Sequence, residues 1–118
     1  MNLDEIVGLT VAGVAGDKGS DVLTFTFTDG RVLKFWHVQD CCENVEISDV
    51  CGTWDDIVGS PLLMADEASH SPEHSGWESL TWTFYRFATA KGYVTVRWNG
   101  ESNGYYSERV EYTWVAKP

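Results

Sequence analysis

Basic residues are scarce in this 118-residue chain, and one long stretch has none. Lys and Arg number 8 against 18 Asp and Glu, for a formal net charge of −10. That balance excludes a free-standing nucleic-acid binder, because phosphate contact needs basic groups. Long hydrophobic runs are also missing. None approaches the roughly 18 apolar residues of a membrane span, so no membrane association is expected. The N-terminus, Met1 to Glu5, is acidic where a secretion signal is basic. Cysteine is limited to Cys41, Cys42 and Cys51. With cytosolic placement the three are expected as free thiols without a structural disulfide. G-x-S-x-G, P-loop, H-E-x-x-H, EF-hand and dinucleotide-binding patterns are all lacking, so no catalytic residue is assigned.

The chain is nevertheless rich in what builds a core. Hydrophobic residues make up 43% and aromatics 14%, which argues against disorder. The length fits a single domain over residues 1–118. The dominant hydrophobic period is two, which predicts strands. Expected strands run over Ile6–Val14, Val22–Thr28, Arg31–Val38, Asn44–Val50, Trp77–Ala88, Tyr93–Trp98 and Tyr105–Val115. Asp29-Gly30 and Asn99-Gly100 read as hairpin turns. Thr53 is placed as N-cap of one short helical turn, and 67–76 as a polar surface loop. Leu23, Phe25, Phe27, Phe35, Trp82, Phe84, Val94, Val96 and Val110 are the expected core. The fold class is all-β or β-dominated α+β: antiparallel twisted sheets, meander- or sandwich-like, with at most one or two short helices.

Two segments carry the residues that do chemistry. In His37-Val38-Gln39-Asp40-Cys41-Cys42-Glu43, a zinc reading takes His37, Cys41, Cys42 and Cys51 as ligands. Adjacent cysteines on an extended chain point apart, which opposes it. A nucleophilic reading pairs one thiol with His37, oriented by Asp40 or Glu43. A turn whose thiols pack as small apolar groups needs neither. In Trp98 to Ser107, the polar atoms and rings of Glu101, Asn103, Tyr105 and Tyr106 suit a ligand or partner surface, or a hairpin with a bulge. His70 and His74 lie four apart, but Pro72 between them opposes a shared helix face, so they read as exposed loop residues.

The charge is uneven. No Lys or Arg lies between Phe35 and Tyr85, where ten acids fall; the rest of the chain holds eight of each sign. Such a segment either solubilises or steers toward a basic partner. Asp55, Asp56, Asp66 and Glu67 flank the expected helical turn and loop, and are the leading candidates for a partner surface.

The segments His37–Glu43, Asp49–Leu62, Trp82–Thr89 and Trp98–Ser107 resemble a family of small proteins encoded by bacteriophages and prophages, described as a domain of unknown function. The resemblance spans about Phe35 to Val110. It implies a phage origin and the bacterial cytoplasm, and assigns no site residues. The expectation is a non-enzymatic phage accessory protein. It binds and inhibits a host macromolecule, in an anti-defence role of the anti-CRISPR type, through an acidic surface that meets a basic protein surface. The alternative is a metal- or small-ligand-binding domain centred on His37–Glu43, with zinc as the candidate metal and weak thiol-dependent activity.

Overall fold

The computed structural model describes residues 1–71, 79–104 and 106–115. Among the described residues, eight strands form two antiparallel four-stranded sheets that face each other without closing. The first holds β1 (Val11–Ala15), β2 (Val22–Phe27), β3 (Val32–Trp36) and β8 (Glu111–Trp114), in that order. The second is ordered β4-β7-β6-β5, from β4 (Asn44–Cys51), β7 (Gly92–Ser102), β6 (Ser79–Thr89) and β5 (Met64–His70). Among the described residues helix is limited to two 3₁₀ turns, Leu3–Ile6 and Trp54–Asp56. Among the described residues no helix is long and apolar enough to cross a membrane.

The β2–β3 hairpin follows the sequence signal. Leu23, Phe25 and Phe27 are fully or nearly fully buried, and Leu33 and Phe35 on the return strand face the same side. Gly30 takes the positive φ that the turn demands. Phe25 is the hub of the core, edge-on to Phe87 at 4.9 Å, Phe35 at 5.5 Å and Trp54 at 5.9 Å. From the second sheet, Val45, Ile47, Val94, Val96 and Trp98 complete it.

Four expectations are corrected. The first strand does not begin at Ile6: Leu3–Ile6 is a 3₁₀ turn, closed by the Asn2 N–H donating to Glu5, and β1 starts at Val11. Leu3 and Ile6 lie three apart, so one turn buries both. The face of β6 is inverted: Tyr85 and Phe87 are buried, whereas Trp82 and Phe84 are half-buried on the outer face. There Arg97 stacks on Trp82 at 5.4 Å and Asn99 accepts from the indole N–H. Both faces of this strand carry aromatic rings, so alternation alone does not say which faces the other sheet. Glu67–His70 is not loop but the end of β5, paired with Trp82–Tyr85. Residues 72–78 lie outside the described part.

Asn99-Gly100 makes no turn. It lies within the C-terminal half of β7, paired to β6 on one side and β4 on the other. A side chain at Gly100 would meet the Glu108 Cβ at 2.8 Å and its carbonyl oxygen at 2.9 Å. This glycine is present for close approach, not for a left-handed backbone. The second Asn-Gly step, Asn103-Gly104, does turn, with φ 90° at Gly104. Thr53 precedes the Trp54–Asp56 turn as expected but makes no side-chain cap bond.

Candidate functional site: a pinned turn beside the β7–β8 connection

The two segments singled out from sequence meet at one end of the sandwich. The turn after β3 runs beside the connection from β7 to β8, and Asn44 at the start of β4 pairs with Glu101 near the end of β7. His37 bridges them. Its Nδ1 hydrogen-bonds with the Arg109 carbonyl at 2.6 Å, and its Nε2 with the Glu43 carboxylate at 2.8 Å.

Glu43 is the pin of the turn. It is fully buried, and its carboxylate also accepts from the Gln39 side chain at 3.1 Å, the Asp40 N–H at 3.0 Å and the Cys41 N–H at 2.8 Å. Burial pushes its carboxyl up. The Cys41 N–H, the His37 ring and the Glu43 and Asp40 N–H groups outweigh burial and hold it at about 2. A carboxylate ringed by donors fixes the backbone of 40–43 in the way a bound anion would. Sequence reading offered Glu43 as a group to orient His37; its larger part is to satisfy the turn.

The cysteine expectation is corrected here. Cys41 and Cys42 are joined to each other as a disulfide, and Cys51, seven residues beyond Asn44 at the far end of β4, is an exposed free thiol. The tight turn around Glu43 brings the neighbouring sulfurs together, which an extended chain would hold apart. The four proposed zinc ligands do not converge: His37 is engaged by Glu43 and Arg109, and Cys51 contacts Asp49. Among the described residues no three His, Cys, Asp or Glu side chains are grouped to hold a metal ion. The Asp40 side chain is exposed, and the turn uses its N–H instead.

Two shallow depressions of about 260 Å³ flank the turn. One lies between Cys42 and Asn44 and the β7 end, lined by Glu101, Ser102, Asn103 and Tyr106. The other lies between His37, Gln39 and Asp40 and Ser107 and Arg109. Glu101, Asn103 and Tyr106 from the sequence analysis thus share a concave surface with the disulfide. Tyr105 lies outside the described residues, as does His74.

The four leading acids do not form one patch. Asp55 is exposed and Asp56 half-buried in the 3₁₀ turn packed near the start of β7. Asp66 and Glu67 are consecutive in β5 and so point to opposite faces. Asp66 forms a two-bond ion pair with Arg86 on the outer face. Glu67 turns inward and accepts from the Tyr85 hydroxyl. Burial, with the Glu67 carboxylate beside it, pushes the Tyr85 phenol far above its ordinary range. Glu108 was not among the sequence candidates, yet it is buried and accepts from Thr81 at 2.7 Å and from Ser102. Its one sequence signal is Gly100, the strand glycine that makes room for it.

A two-sheet antiparallel β-sandwich, with one end organised around a buried carboxylate and a histidine, defines the class of domain. The chain belongs to the family described as Domain of unknown function (DUF7448), whose model matches residues 4–112. No curated protein and no solved structure matches it significantly.

Proposed function

We propose that this protein is a non-enzymatic accessory protein of phage or prophage origin. It acts in the bacterial cytoplasm by binding a host protein through an acidic surface. The inhibited partner is a host-defence component, of the kind whose basic groove normally receives nucleic acid. The observation that carries this reading is the charge distribution: every residue from Phe35 to Tyr85 is acidic or uncharged apart from histidine, and the net charge of −10 arises there. Within that segment Asp40, Asp55 and Glu67 are exposed, and Asp66 is the acid paired with an arginine. An unbalanced negative surface supports fast, salt-sensitive capture of a basic partner.

The test starts from capture of the partner in lysate of a bacterial host and proceeds to association kinetics with that partner purified. Raising salt from 0.1 to 1 M shortens the Debye length from about 10 to about 3 Å, and the association rate should fall with it. The double reversal Asp55→Lys, Asp56→Lys should lower the association rate more than it raises the dissociation rate. Unchanged affinity and unchanged salt dependence in that variant would show that the acids serve solubility alone.

A further inference from the structure

Two asparagine–glycine steps stand close together in this chain, and the structure treats them oppositely. In an Asn-Gly step the backbone nitrogen of the glycine can attack the side-chain amide before it, because glycine puts no side chain in the way. Asn99-Gly100 is paired on both sides within β7. The Asn99 amide is also held at both ends: its oxygen accepts from the Trp82 indole N–H and its nitrogen donates to Glu101, each at 3.0 Å. Asn103-Gly104 lies just beyond β7 on an exposed turn. There the Gly104 N–H donates to the Ser102 hydroxyl oxygen at 3.0 Å, and that hydroxyl donates to the Glu108 carboxylate. Ser102 and Glu108 are both buried, and Thr81 holds the other Glu108 oxygen at 2.7 Å. Glu108 also lines a cleft of about 430 Å³ that it shares with Glu67, Thr81 and Thr83, and through it solvent reaches the carboxylate.

We propose that Asn103 is a self-catalysed deamidation site. Ser102 is the catalytic residue, in contact with the attacking nitrogen, and Glu108 is a positioning residue that takes up the proton through it. The Gly104 nitrogen attacks the Asn103 Cγ and forms the N–Cγ bond. Its proton passes to the Ser102 Oγ as Ser102 gives its own to Glu108. The Cγ–Nδ2 bond then breaks, the relay returns the proton to the leaving nitrogen, and ammonia departs. Water opens the resulting cyclic imide at either carbonyl, which leaves aspartate or isoaspartate at 103 and restores the N–H of 104. One water is consumed, one ammonia is released, and the relay ends as it began. A peptide nitrogen is a poor nucleophile while it keeps its proton, so removal of that proton limits ring closure in an ordinary chain. A positioned hydroxyl backed by a carboxylate supplies the missing base. At Asn99 the two ladders hold the backbone extended and oppose the same closure. The product adds a carboxylate to the depression that Asn103 shares with Cys42, Glu101 and Tyr106, so this surface exists in two covalent forms.

The inference goes beyond the macromolecular partner above and needs none, since it is tested on the full chain alone. The protein is incubated at neutral pH, native and in urea, and peptide mapping by mass spectrometry follows aspartate and isoaspartate at 103 and 99 separately. Asn103 should convert faster in the native protein than in urea, and Asn99 more slowly. Ser102→Ala should slow native conversion at Asn103 by about a hundredfold, the low end of what a positioned base contributes. Ser102→Thr, which keeps the hydroxyl, should restore most of the rate. The pH profile reports on Glu108. In urea the rate at Asn103 should rise in proportion to hydroxide, because only solvent removes the proton. In the native wild type it should rise more shallowly, and Glu108→Gln should bring the proportionality back. Circular dichroism checks the fold of each variant. If the variants do not fold, the comparison of native and urea-unfolded wild type decides alone. Native conversion at Asn103 no faster than in urea, equal native rates at Asn103 and Asn99, or a folded Ser102→Ala with an unchanged rate would each overturn the proposal.

Discussion

The Glu43 carboxylate receives the His37 ring at 2.8 Å, with side chains 0% and 4% exposed. This contact joins the turn after β3 to the β7–β8 connection through the second ring nitrogen, which reaches the Arg109 carbonyl. Its pH dependence follows from the direction of the carboxyl shift. The folded value is about 2 against 4.5 for an unperturbed glutamate. Folding thus favours the charged form. The stability it contributes is complete above about pH 4.5 and disappears as pH falls toward about 2. Melting temperatures of the wild type and Glu43→Gln, measured from pH 7 to pH 2, should differ most near neutrality and converge in acid. Parallel curves over the whole range would refute the role assigned to Glu43.

The inverted face of β6 gives a paired test. Phe87→Ala empties a fully buried site against Phe25 and should cost about 3–5 kcal/mol in urea unfolding. Phe84→Ala, on the half-buried outer face, should cost about 1 kcal/mol. The reverse order would return the core to the face that bears Trp82 and Phe84.

Gly100→Ala should destabilise by about 1–3 kcal/mol, since its Cβ would stand 2.8 Å from that of Glu108 with backbone behind it. Gly13→Ala is the control: it also lies in a strand, has open space around it, and should be near neutral or mildly stabilising. Equal costs for the two would remove close approach as the reason for Gly100.

Thiol counting tests the cysteine arrangement. The oxidised native protein should react with a thiol reagent at Cys51 alone, and reduction should add Cys41 and Cys42. Three reactive thiols before any reductant is added would contradict the bond between the neighbouring cysteines.

Much of the fold is legible in the residue pattern. The alternation of Leu23, Phe25 and Phe27, the Asp29-Gly30 turn and the run Val94, Val96, Trp98 each place one face of a strand unambiguously, because polar or small residues occupy the other. Alternation ceases to discriminate in β6, where rings stand on both sides. It also misleads at Asn99-Gly100, where a turn dipeptide lies inside a strand. The candidate residues were legible as two polar segments, and their meeting was not.

Sequence by itself determined the strand-rich class, the hairpin at Asp29-Gly30, part of the core and the confinement of net negative charge to the middle of the chain. These follow from local periodicity, turn chemistry and composition, which need no knowledge of distant neighbours. Tertiary structure alone decided which face of β6 is inside, that Glu43 is a buried acceptor, that Asp66 and Glu67 part to opposite faces, and that Glu67, Thr83 and Glu108 share one cleft. Each of these depends on what packs across from a residue. Pairing partners tens of residues apart in the chain are selected by the burial of both sheets together, not by the local pattern of either.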